Sequence, residues 1–356
     1  MKITIAGMGN AGTTIAADLA HKGHNITLLK TSNKLHNEHY EFVKNSKKIH
    51  VKDLDCEYIS DIDNVTTDYE AAIKDADVII IYIQTNYHEQ FIKKIASYVH
   101  DGQTFIIEPG YLSTCYMLQN IDKDITIIEA ESSPIDCRII EPGKVQVLFK
   151  NVRNPFGVFP SSKENYAKHI LDEMKYPYVI AQNVIEAALH NPNLIVHTVG
   201  AIFSIPRIEY TNGEYWMYKE VFTPHVWNIV ESLDNEKMNV LGKMGCKRIS
   251  YVEACKYRNS LKDERSALEV FFDYAINSSP KGPDVPDSRY ITEDVPQGLV
   301  MLESLGKVFS VDTPVCTSLI NIASSALHRE FRKEGRTIEK LNKNIVENLL
   351  QINQAR

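Results

Sequence analysis

No apolar run in this chain approaches the ~20 residues that a helix needs to cross a bilayer. The most conspicuous uninterrupted one is short, Val78 to Ile83. The N-terminus, Met1 to Ala6, goes straight into an apolar alternating run and lacks a basic segment, a longer apolar core and a cleavage site, so a signal peptide is not expected and the cytoplasm is the expected compartment. There is no CxxC pair: the six cysteines (Cys56, Cys115, Cys137, Cys246, Cys255, Cys316) are scattered over both halves. That suits reduced thiols better than a disulfide framework or a zinc site, and no metal is expected. There is no excess of basic charge, since 39 Lys+Arg stand against 46 Asp+Glu for a formal charge of −7. Neither nucleic acid nor an anionic membrane is therefore expected as the main partner; a small molecule is. Internal repeats and low-complexity segments are also missing. With 44% hydrophobic and 24% charged residues, the composition excludes disorder and fibrous folds, and 356 residues suggest two domains.

The first forty residues read as one βαβ unit: KITIAG is a β-branched run, GMGNAGTTIAADLAHKG is glycine-rich and then helical, and HNITLLKT is strand-like again. Further short apolar runs follow at Val78 to Ile83, Thr104 to Ile107 and Ile125 to Ile128, with helical patterns such as Tyr87 to Val99 between them. Alternation of this kind predicts an α/β fold, a Rossmann-type doubly wound parallel sheet, continuing to about Lys150 with KVQVLF as a late strand. From about Ser161 long patterns with apolar residues three and four apart dominate, which predicts an all-α C-terminal domain. The expected division is residues 1–160 for dinucleotide binding and 161–356 for substrate binding and catalysis.

Gly7, Gly9 and Gly12 form GxGxxG between a predicted strand and a predicted helix, with Asn10 and Ala11 completing the loop. The physical demand is specific. Gly7 permits the tight turn, Gly9 lets the backbone approach a pyrophosphate, and Gly12 allows helix and strand to pack closely. The helix N-terminus then presents unpaired N–H groups and a partial positive charge to phosphate. An acid at the end of the second strand commonly takes the ribose hydroxyls when NAD is bound. Here that place holds Lys30, Thr31 and Ser32, which would suit a 2′-phosphate, so NADP is favoured over NAD.

In the second half, HNPNLIVHTVGAIFS offers Asn191 as N-cap and Pro192 at the first helical position. Asn193, His197, Gly200 and Ser204 then share one stripe, with Gly200 expected to leave room beside the imidazole. A buried histidine bonded to a carbonyl would satisfy the pattern, and so would an acid/base. His190, just before the cap, is the rival, expected at the domain surface. Farther on, DSRYITEDVPQGLVMLESLG holds Arg289 and Asp294 five residues apart, beside Pro296. Asp294 can be read as a helix N-cap and Arg289 as a surface ion-pair partner. They can equally be read as an aspartate that orients His197 and an arginine that clamps a substrate carboxylate.

The chain resembles the opine dehydrogenases, the octopine/nopaline dehydrogenase family, in GMGNAG, in EPGY at Glu108 to Tyr111, in NPNLIVH, and in SRYITEDVPQGLVMLESLG. The resemblance implies reductive condensation of an amino acid with an α-keto acid: an imine is formed and reduced with NAD(P)H to a secondary amine dicarboxylate. Matched residue by residue, it implies His197 as the acid/base, Asp294 as its dyad partner and Arg289 as the keto-acid anchor; Asn193, on the His197 stripe, is the other substrate-binding candidate. EAESSPIDCR, Glu129 to Arg138, sits where such enzymes have a conspicuous loop. Two other functions fit parts of the chain: a 2-hydroxy-acid or polyol-phosphate dehydrogenase of the same layout, and an NAD(P)-binding sensor without chemistry. Tyr215, Trp216, Tyr218 and Trp227 suit either core or pocket, and the apolar helical faces either one chain or a homodimer.

Overall fold

The computed structural model describes residues 1–351. They form two compact units, divided between Ala187 and Ala188. Twelve strands lie in the first: β1 (Lys2–Ala6), β2 (Asn25–Leu29), β3 (Lys48–Lys52), β4 (Glu57–Asp61), β5 (Asn64–Thr66), β6 (Val78–Ile81), β7 (Thr104–Ile107), β8 (Thr126–Ala130), β9 (Ile135–Glu141), β10 (Lys144–Lys150), β11 (Asn154–Phe159) and β12 (Tyr178–Ile180).

Eight of these build the main sheet in the order β12-β11-β8-β7-β6-β1-β2-β5. Every pairing is parallel except β11 with β8. Strands β6 and β7 are buried at every position, as the continuous apolar runs VIII and TFII require when both faces of a sheet are covered. The strand order reverses between β1 and β6, the switch point where doubly wound folds take their ligands. Helix α1 (Asn10–His21) follows β1 and buries Ile15, Ala16, Ala17 and Leu19.

The first unit departs from expectation in three ways. KVQVLF is indeed a strand, β10, but it belongs to a separate four-stranded sheet, β4-β3-β10-β9. That sheet alternates: Ile49, Val51, Val145, Val147 and Cys137 join the core that contains Ile15 and Leu19, while Lys48, His50 and Lys52 face outward. The Ser60 hydroxyl also donates to the Ala17 carbonyl of α1 at 2.7 Å. Most of EAESSPIDCR is strand rather than loop, because Glu129 and Ala130 end β8 and Ile135 opens β9. Finally, the unit runs past residue 160, since the helix Glu164–Glu173 leads into β12, which pairs in parallel with β11. Helical periodicity alone places that helix in the second half.

The second unit is helical, led by Asn193–Thr211, Pro224–Lys243, Tyr251–Asn259, Ala267–Asn277, Val300–Phe309 and Pro314–Leu327. Capping boxes start two of them, Ser250 with Glu253 and Ser266 with Glu269. Buried Glu236 caps another from a neighbouring helix, accepting from the Val315 and Cys316 N–H groups at 2.7 and 2.9 Å. Among the described residues no helix is long and apolar enough to cross a membrane. All six cysteines are free thiols.

Candidate active site

In the first unit, the turn after β1 requires its glycines for three different reasons. Gly7 has φ +114°, and a Cβ there would stand 2.4 Å from the Tyr82 carbonyl oxygen. A Cβ on Gly12 would lie 2.0 Å from the carbonyl oxygen of Gly7, so helix and turn touch through backbone alone. Gly9, the residue before α1, is the opposite case: its nearest neighbour would be His36 Nε2 at 3.8 Å, which leaves room for a ligand. Asn10 is pinned to the second sheet, accepting from the Ile139 N–H at 2.9 Å through its side chain. Ala11 is half-buried in the first helical turn. An open glycine at a helix N-terminus with unpaired N–H groups is what a dinucleotide pyrophosphate fits.

The end of β2 is arranged differently from expectation. Lys30 is buried, and its ammonium donates to the Leu35 carbonyl at 2.7 Å instead of standing free. Burial lowers its pKa. Lys30 thereby ties down the loop that follows, in which Thr31 and Ser32 are half-buried and the Lys34 N–H donates to Ser32 Oγ at 3.2 Å. His36, which sequence reading passed over, borders the open space at Gly9; burial and then Lys30 push its pKa down. Its neighbour His39 is a structural residue. Nδ1 accepts from the Gly143 N–H at 3.1 Å, so Nε2 donates to Thr13 Oγ at 3.1 Å, and burial takes the pKa down to about 4.

At the carboxyl ends of β6 and β7, the Tyr82 hydroxyl donates to the Glu108 carboxyl group. Glu108 is buried, and desolvation pushes its pKa up to about 8.

In the second unit, Asn191 Oδ1 accepts from the Asn193 N–H at 3.0 Å, the N-cap bond expected of it, with Pro192 in helical conformation. The helix carries His197 one turn beyond half-buried Asn193. Gly200 does not make room for the imidazole: a Cβ there would meet Met217 Sδ at 2.8 Å. Ser204 turns back to bond the Gly200 carbonyl. His190 is buried rather than superficial, and desolvation takes its pKa down to about 3.

Asp294 does not cap a helix. It stands before a π-helical turn, Val295–Leu299, with no capping bond from its side chain. Arg336, fully buried, holds this turn by donating its N–H to the Pro296 carbonyl at 3.0 Å and its Nε to Gln297 Oε1 at 2.7 Å. Asp294 Oδ2 lies 2.9 Å from His197 Nδ1. The imidazole ring also stacks on Tyr290, with centroids 3.6 Å apart and planes 6° from parallel. Arg289 opens the short helix Arg289–Thr292 and donates from Nε to Glu293 Oε2 at 2.7 Å. The aromatics divide: Tyr215 and Trp227 are core, Tyr218 is half-buried and Trp216 is exposed.

A carboxylate on Nδ1 makes that nitrogen the donor, so the neutral ring keeps its lone pair on Nε2. Such a pair can take a proton at Nε2 and return it. Sequence reading missed Tyr290 and Glu293, although each is four residues from a singled-out partner, Asp294 and Arg289 respectively.

A doubly wound dinucleotide-binding sheet, followed in the chain by a helical unit with a His–Asp pair, defines an NAD(P)-dependent oxidoreductase of two-domain layout. The helical half, residues 180–327, matches the family described as NAD/NADP octopine/nopaline dehydrogenase, alpha-helical domain. Residues 2–109 match the N-terminus of NAD-dependent glycerol-3-phosphate dehydrogenase. The opine dehydrogenase of Arthrobacter sp. (strain 1C) is 28% identical over 348 residues, covering 95% of this chain and 94% of that one. Octopine dehydrogenase solved in complex with NADH and agmatine superposes with a TM-score of 0.78 at 18% identity, covering 98% of each chain. Yersinopine dehydrogenase with NADP+ bound gives 0.77 at 14% identity, over 100% of this chain and 99% of that one. Residues 180–327 thus carry the helical domain of the octopine/nopaline dehydrogenase family, and the chain is similar to opine dehydrogenases along nearly its whole length.

Proposed function

We propose that the protein condenses an amino acid with an α-keto acid and reduces the resulting imine to a secondary amine dicarboxylate, with NADP favoured as cofactor. The observation that carries this reading is the 2.9 Å contact between His197 Nδ1 and Asp294 Oδ2. Neutral His197 takes a proton at Nε2 from the incoming ammonium, freeing the amine to attack the keto carbon. The cationic ring then returns that proton to the carbinol oxygen as water leaves. Asp294 holds the tautomer; a positioned acid/base of this kind is typically worth ~10²–10⁴ in rate. The nicotinamide cofactor, when bound, supplies the hydride that the imine carbon receives.

Arg289 spends Nε on Glu293, so its Nη1–Nη2 edge is the one that would take the keto-acid carboxylate in a bidentate fork. Asn193, a turn before the imidazole, would complete the substrate contacts. Gly7, Gly9, Asn10, Ala11 and Gly12 would form the pyrophosphate turn. Thr31 and Ser32 would receive the adenosine ribose end, with Lys30 organising their loop from beneath. No acid follows β2, and the positive charges of Lys30 and Lys34 suit a 2′-phosphate. The relatives named above include one solved with NADH and one with NADP+.

The test is a matrix of amines against α-keto acids, run with NADH and with NADPH. Oxidation of the cofactor is expected only when amine and keto acid are both present, and faster with NADPH. Oxidation with a keto acid alone would make the protein a 2-hydroxy-acid dehydrogenase, and binding without turnover across the panel would make it a sensor.

A further inference from the structure

The hydrogen bond from His197 Nδ1 to Asp294 fixes the imidazole at one atom but leaves it free to pivot about the N···O axis. A ring that pivots sweeps Nε2 through an arc, and a small misplacement of a proton-transferring atom is costly. The remaining freedom is removed by Tyr290. Its ring lies 3.6 Å from the imidazole centroid at an interplanar angle of 6°, a contact only a face-to-face stack gives. One constraint acts in the ring plane and the other perpendicular to it. Both come from one short stretch of chain, since Tyr290 precedes Asp294 by four residues and follows Arg289 directly. The stretch is itself held: Glu293 ties Arg289 at 2.7 Å, and the following π-helical turn is bonded to buried Arg336.

We infer that Tyr290 is a positioning residue for the acid/base: its aromatic face, not its hydroxyl, sets the plane of the His197 ring and hence the direction of Nε2. This rests on the proposed function for its kinetic consequence, though not for its structural one.

The experiment compares Tyr290→Phe, Tyr290→Leu and Tyr290→Met in the full chain, each checked for folding by circular dichroism and thermal melting. The His197 ring C–H signals, assigned with His197→Gln, report the stack through ring-current shielding and the pivot through ¹³C relaxation. Tyr290→Phe should keep both wild-type signatures. Tyr290→Leu and Tyr290→Met should lose the shielding and gain ring motion. In turnover, losing the aromatic face should lower kcat by ~5- to 30-fold, short of the ~10²-fold that a misplacement of about 1 Å can cost, with KM for the cofactor and keto acid nearly unchanged. Tyr290→Phe should stay within about two-fold of wild type. Unchanged shielding and relaxation in both aliphatic variants would overturn the inference. So would wild-type kcat in either of them, or a loss in Tyr290→Phe as large as theirs. If the wild-type enzyme turns over no amine and keto-acid pair, the proposed function fails alone, and the magnetic-resonance comparison still decides the role of Tyr290.

Discussion

His197 and Asp294, 97 residues apart in the chain, share a hydrogen bond of 2.9 Å in which the carboxylate is the more buried partner, 6% exposed against 16% for the imidazole. The carboxylate supports the ring from within the protein, and the ring retains some access to solvent. His197→Ala should therefore cut turnover by ~10²–10⁴ while leaving NADPH affinity, measured by fluorescence titration, nearly unchanged. Asp294→Asn should lower kcat by a comparable order, because the amide can present N–H to Nδ1 and move the ring proton to Nε2, where the lone pair is needed. Near-normal turnover in His197→Ala would remove that residue from the mechanism.

Gly9 and Gly12 stand in one loop but should respond differently to the same substitution. In Gly12→Ala the new methyl group meets the Gly7 carbonyl, which is backbone and cannot step aside, so a loss of roughly 1–3 kcal/mol in urea unfolding is expected together with weakened cofactor binding. In Gly9→Ala the methyl group has open space, so stability should hold while cofactor affinity falls. Equal cofactor affinity in Gly9→Ala and the wild type would mean that the pyrophosphate does not approach there.

Glu108 gives the fold a pH dependence of definite sign. Burial raises its pKa from 4.5 to about 8, so the native state keeps the proton over a range in which the unfolded chain has released it. Its contribution to stability is complete below about pH 4.5 and is lost as the pH rises through about 8. Glu108→Gln keeps a carbonyl for the Tyr82 hydroxyl and removes the titration. Its melting temperature relative to wild type should therefore rise between pH 5 and pH 8. A difference independent of pH would show that Glu108 is ionised in the native protein.

The glycine turn and the helix after it were legible because their determinants are local. A β-branched strand, three glycines at fixed spacing and a helix are contiguous in the chain, and Gly7 and Gly12 meet their constraints at the end of the adjoining strand and within the turn. The His197 helix was legible for the same reason, since Asn191 and Pro192 write its start. The four-stranded sheet was not legible. Its strands come from residues 48–61 and 135–150 and gain their apolar face only by covering α1, so no single segment declares the pairing. The helix Glu164–Glu173 likewise has the periodicity of the second half while belonging to the first, because periodicity reports which face is buried and not what buries it.

Sequence alone determined the class of fold and the likeness to opine dehydrogenases, because strand–helix alternation, turn chemistry and motif residues act over a few positions. Only the tertiary structure decided that Asp294 turns to an imidazole instead of a helix end, that Lys30 is spent on a backbone carbonyl, and that Tyr290 lies flat on His197. Each of those depends on where a side chain finds its partner once distant segments are packed, and the order of residues along the chain carries no record of that.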